Sequence, residues 1–202
     1  MSQLRLARRL KRPAIALAVT AFAVLGLHQC VRWRHASNIE TRLRQLAPLI
    51  SKRAQANDLP PELVREVIRI ESGGKADAVS PRNAKGLMQI TPVTEQEVLL
   101  RTRGTGGNLF DPDYNLSIGT AYLRLLLDRF SGNWWLALAA YHLGPSRVQQ
   151  LRGANPDLSG REVVERFAPP VTQDYCRRII SRAGLASANG STPRPPQGGN
   201  QR

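Results

Sequence analysis

Pro60-Pro61-Glu62-Leu63-Val64-Arg65-Glu66-Val67-Ile68-Arg69-Ile70-Glu71-Ser72-Gly73-Gly74 reads as one helix with its punctuation at both ends. Prolines open it, glycines close it, and Leu63, Val64, Val67 and Ile68 recur at the three-and-four spacing of a buried face. Glu71 comes next on that face. A carboxylate that continues an apolar stripe is disfavoured in its charged form by burial. The unpaired carbonyls of the last helical turn add to the effect. Both raise the pKa, and a glutamic acid protonated near neutrality is what a general acid requires. The other reading of this helix alone is a glutamate that reaches out to water from a helix end. At this point the two stand level.

The rest of the chain narrows the chemistry. With 202 residues and 42% hydrophobic content, it is long enough for one core of ordinary size plus appendages. The net charge of +14 first points to nucleic acid, but its distribution does not. Residues 1–53 carry eleven Lys and Arg against one acid, whereas residues 54–186 carry sixteen against fourteen. The body is near neutral, so no nucleic-acid partner is expected. Two cysteines, Cys30 and Cys176, offer no zinc spacing and are read as unpaired thiols; no metal and no cofactor is expected. His142 is the one histidine of the body, and no nucleophile elbow accompanies it, which leaves carboxylate chemistry by elimination.

Arg5, Arg8, Arg9, Lys11 and Arg12 precede the uncharged run Pro13–Leu27, a pattern of export. The run can extend through Cys30 to Trp33, and no good cleavage site follows, so residues 13–33 are expected to anchor the chain in the inner membrane with its body on the periplasmic side, a cleaved secreted form being the other reading. Leu27-His28-Gln29 lacks the small residues that precede a lipidated cysteine. Residues 1–35 are therefore read as basic region and anchor, 36–47 as a helical linker, 48–186 as the folded domain, and 187–202 as a disordered Gly/Pro/Ser/Gln tail. Ser37-Asn38-Ile39-Glu40 has capping-box form. The helix it opens is expected to break at Pro48, where a second begins. Thr94-Glu95-Gln96-Glu97 is read as another capping box. Further helices are expected at about Leu116–Phe130, at Trp134–Leu143 ahead of Gly144-Pro145, at Arg161–Phe167 and at Thr172–Ala183. The fold class is mainly α.

Four separated stretches can be read together: Ile70-Glu71-Ser72-Gly73, Gly86-Leu87-Met88-Gln89-Ile90, Ala139-Ala140-Tyr141 with Gly144-Pro145, and Thr172 with Tyr175. Together they resemble the lytic transglycosylases of the soluble-lytic-transglycosylase type, from about Ala47 to Ile180. The resemblance implies a lysozyme-like helical fold. It also implies cleavage of peptidoglycan glycan strands between N-acetylmuramic acid and N-acetylglucosamine, leaving 1,6-anhydromuramoyl ends. Glu71 matches the family's catalytic acid. Ser72 matches a position that supports the substrate N-acetyl group or the carboxyl, although a hydroxyl there can also bond a loose helix-end carbonyl. Gly86, Met88 and Gln89 match a cleft wall, with core filling as the other reading of Met88. Tyr141 matches a tyrosine whose hydroxyl approaches the catalytic carboxyl, and Tyr175 a second cleft tyrosine; either is equally a buried ring with a satisfied hydroxyl. His142 departs from the family's usual Asn, which puts subsite detail and pH response in question. Two rivals stay open. A hydrolytic muramidase would need a second carboxylate, with Asp77 the acid to test. A membrane-tethered peptidoglycan-binding module would have lost its chemistry, and the presence of both Glu71 and Gln89 speaks against that.

Overall fold

The computed structural model describes residues 38–185; the apolar N-terminal run, Ser37 and the C-terminal tail lie outside them. Residues 38–42 group with the N-terminal segment as a unit of their own, and the chain from Leu43 onward forms a second compact unit. The first described helix, α1, runs over 38–55 without the expected break at Pro48. Proline removes one N–H and frees the carbonyl four residues earlier. Here Arg44 and Pro48 are both on the exposed side, where water can satisfy that carbonyl. The buried side carries Leu43, Ile50 and Ala54.

Seven helices follow: α2 (Pro61–Glu71), α3 (Pro92–Thr102), α4 (Pro112–Arg129), α5 (Trp134–Leu143), α6 (Pro145–Ala154), α7 (Gly160–Phe167) and α8 (Pro170–Arg182). Most open on a proline, whose missing N–H costs nothing in the first turn. The cap of α3 is Thr91, whose hydroxyl accepts from the Thr94 N–H, three residues ahead of the expected start. Asp111 caps α4, and Ser159 with Glu162 forms a reciprocal capping box on α7.

Helix α5 is the centre of the domain. It is apolar on nearly every side, with Trp134, Leu136, Ala137, Leu138, Ala139 and Ala140 buried, and α4, α6, α7 and α8 all pack on it. Helix α2 packs on α8. Gly144, at φ 96°, ends α5, and Pro145 begins α6 at once. Between α2 and α3 the chain is irregular, with two isolated antiparallel bridges, Val79 to Lys85 and Lys85 to Ile90. These pin the segment that faces the end of α2. None of the described helices is long and apolar enough to cross a membrane.

Candidate active site

The C-terminal turn of α2 delivers Glu71. Leu63, Val64, Val67 and Ile68 are buried as the spacing predicts, and Glu71 stands half-buried at the end of their stripe. The chain leaves through Ser72, then Gly73 and Gly74 at φ 60° and 77°, where a side chain would be strained. Ser72 acts as a clasp. Its hydroxyl donates to the Leu87 carbonyl (2.8 Å) and accepts from the Gly74 N–H (3.1 Å), fixing the helix end to the 86–90 segment. The hydroxyl thus bonds loose carbonyls in the resting site, the second of the two roles read for it.

The 86–90 segment is held from behind by Asn115 on α4, a fully buried amide. Its Oδ1 accepts from the Met88 N–H (2.8 Å), and its Nδ2 donates to the carbonyls of Lys85 (2.9 Å) and Leu109 (2.8 Å). Gly86 sits against this clamp at φ 73°. A Cβ there would come within 2.3 Å of both Asn115 Nδ2 and the Leu109 carbonyl oxygen, so no other residue fits without movement. Gln89 has φ 50° and turns its amide back onto the Gly86 (3.1 Å) and Ala78 (3.3 Å) carbonyls. At Met88 the side chain follows the second of its two readings, core filling. It is wholly buried, packed where Gly119 leaves room. What Met88 offers the site is its carbonyl, which accepts from the Tyr141 hydroxyl at 2.8 Å.

The opposite wall comes from α5 and α8. Tyr175 donates its hydroxyl to Glu71 Oε1 at 2.8 Å, so the phenol on the carboxyl is Tyr175 rather than Tyr141. Tyr141 is spent on the Met88 carbonyl and its ring packs on Tyr122, centroids 5.6 Å apart. Tyr141 still lies near enough for a charged Glu71 to raise its pKa, after burial, the larger cause. His142 bonds Thr172 Oγ1 through Nδ1 (3.0 Å), and its ring lies on Tyr175, centroids 4.7 Å apart.

Burial pushes the Glu71 carboxyl up to about 7, against the smaller, opposing pull of the Tyr175 hydrogen bond. No second acid contributes to that shift. Asp77 is exposed in the loop after the helix. Near neutral pH, Glu71 therefore exchanges a proton readily in both directions, which suits a group asked to donate and then to accept. Of the predicted site residues, Tyr175 touches the Glu71 carboxyl and His142 packs on Tyr175, Ser72 and Tyr141 bond the backbone of the 86–90 segment, and the Met88 side chain lies in the core; Asn115 and Glu66 were not foreseen. Asn115 had a usable signal: it stands three and seven residues before Ile118 and Tyr122, on their stripe, as Glu71 does on its own.

Fold and site together define a class, a lysozyme-like helical domain built around a single proton-exchanging glutamate at a helix end. Within that class, the chain belongs to the transglycosylase SLT domain family, whose profile matches residues 48–164. It is 32% identical over 164 residues to the membrane-bound lytic murein transglycosylase C of Actinobacillus pleuropneumoniae serotype 5b, covering 75% of this chain and 44% of that protein. It is 29% identical over 138 residues to the soluble lytic murein transglycosylase of Escherichia coli K12, covering 66% of this chain and 21% of that protein. An inactive Glu-to-Gln mutant of the lytic transglycosylase Slt from Pseudomonas aeruginosa superposes with a TM-score of 0.64 at 29% identity, over 72% of this chain and 25% of that one. The chain thus spans less than half the length of these relatives.

Proposed function

We propose that the chain is a peptidoglycan lytic transglycosylase that cuts the glycan strand between N-acetylmuramic acid and N-acetylglucosamine and leaves 1,6-anhydromuramoyl ends. The observation that carries this reading is the half-buried Glu71 carboxyl, pushed to about 7 with one phenol and no second acid acting on it. Glu71 gives its proton to the glycosidic oxygen as the C1–O bond breaks and positive charge develops at C1. The resulting carboxylate then takes the proton of the C6 hydroxyl as that oxygen closes on C1. One carboxyl serves both steps because the nucleophile is already part of the sugar. Tyr175 donates to the carboxylate between the steps. Gly86, Gln89, Tyr141 and His142 line the substrate's path, and Ser72 keeps the helix end in register with the 86–90 segment. A hydrolase would need a second carboxylate to activate water, and exposed Asp77 has no partner arrangement for that task.

The substrate places the enzyme in the cell envelope. A membrane-bound relative and the apolar run of residues 13–33 support a periplasm-facing domain tethered to the inner membrane. Mass analysis of soluble fragments from purified sacculi tests the activity. Anhydro ends are expected; reducing ends carrying an added water would assign a hydrolase, and an absence of fragments would reduce the chain to a binding module. Recovery of the full-length protein from the cytosol would overturn the tether.

A further inference from the structure

Tyr175 holds the carboxyl, and something must hold Tyr175. Tyr175 is 4% exposed, and the imidazole of His142 lies on its ring, tilted 32° at a centroid distance of 4.7 Å. The imidazole is itself fixed. Its Nδ1 bonds Thr172 Oγ1 at 3.0 Å, and Thr172 is fully buried. Thr172 and Tyr175 stand three residues apart on α8, on one face of that helix. His142, from α5, therefore bridges two successive positions of the α8 face, bonding one and covering the other. His142 Nε2 makes no hydrogen bond among the described residues, so the ring's only side-chain hydrogen bond is spent on α8.

We propose that His142 is a positioning residue that acts through Tyr175: held by Thr172, the imidazole keeps the phenol in place to donate to Glu71. The groups facing this arrangement are Tyr141 from α5 beside Glu71, and Arg82 from the 80–83 turn, whose charge together with burial disfavours the imidazolium. The consequence for catalysis rests on the acid role proposed for Glu71. The coupling of the side chains does not.

The test titrates Glu71 directly by carbon-13 NMR of glutamate-carboxyl-labelled protein, its resonance assigned by disappearance in Glu71→Gln. Tyr175→Phe removes a hydrogen bond to the carboxylate and should raise the midpoint by about one unit. His142→Ala should shift it in the same direction, and in the Tyr175→Phe background the same change should add almost nothing, because the two act in series. An unchanged midpoint in His142→Ala overturns the proposal, as does a shift that persists without the Tyr175 hydroxyl. A downward shift overturns it too, since the ring would then merely shield the carboxyl from water. If His142→Ala does not fold, Thr172→Val decides. It keeps the shape and frees the imidazole, and it must move the midpoint upward. The readout needs no substrate. A wild-type protein that leaves sacculi intact while its Glu71 follows this pattern would sink the proposed function and leave the coupling standing.

Discussion

Glu71 is ionised with difficulty in the folded protein and freely in the unfolded chain, so its titration is written into stability. Its folded pKa of about 7 lies above the ordinary 4.5. A group raised in this way lends stability that is complete below the unfolded value and is lost as pH rises through the folded one. Wild type should therefore weaken between pH 4.5 and 7 relative to Glu71→Gln, whose neutral head does not titrate. The difference should reach about 1–3 kcal/mol at pH 8, allowing for partial exposure. Urea melts of both proteins at pH 4 and pH 8 check this. The same substitution should abolish glycan release at every pH, and a Gln variant that still cuts sacculi would remove Glu71 from the chemistry. The acid was legible because a carboxylate broke an apolar period. Which phenol reaches it was not: the resemblance gave the approach to the carboxyl to Tyr141, and the packing of α5 and α8 gives it to Tyr175.

Among the elements, the irregular 75–90 segment owes its shape to one amide on a neighbouring helix. Asn115→Ala would leave the Met88 N–H and the Lys85 and Leu109 carbonyls without that partner, a loss of about 2–5 kcal/mol if water cannot replace it. Gly86→Ala meets the same clamp from the other side. Its Cβ runs into the backbone oxygen of Leu109, which cannot swing away, whereas at Gly119 the nearest atom is the flexible Met88 sulfur. Thermal midpoints should fall further for Gly86→Ala than for Gly119→Ala, and equal losses would show that the 86–90 segment yields more easily than its hydrogen bonds imply. Helix α2, with its proline start and glycine stop, was readable nearly to its ends, whereas α4 opens at Pro112, four residues before the expected Leu116. Pro48 misled because a proline on a solvated face can be carried inside a helix. Thr94 misled because Thr91, just ahead of Pro92, makes an equally good cap.

At the scale of the whole domain, the site exists because two walls from distant parts of the chain are kept at one separation. Helix α2 carries Glu71 and α8 carries Tyr175, and the 2.8 Å bond between them needs the helices to stay in register. One tie is apolar packing; another is Glu66, 7% exposed on the α2 face toward the core. Its carboxylate accepts from Arg69 Nε at 2.9 and 3.0 Å, and lies 3.7 Å from Arg182 at the end of α8. Glu66 looks like surface in the sequence, because a lone charge on a helix gives no sign that the fold will bury it. Losing Glu66 removes two charge-assisted hydrogen bonds from a buried carboxylate and leaves Arg69 with one partner fewer. Glu66→Ala should therefore cost about 2–4 kcal/mol through Arg69, with part of the loss falling on the α2–α8 contact. Arg182→Ala removes only the exposed partner and should cost under about 1 kcal/mol. If the tie also sets the register, the two variants must differ in chemistry as well. Glu66→Ala, assayed well below its melting temperature, should lose kcat with little change in KM, since the Glu71–Tyr175 pair is disturbed while Gly86 and Gln89 stay on their own supports. A Glu66→Ala enzyme that is less stable but has full kcat would show that apolar packing alone holds the two helices in register.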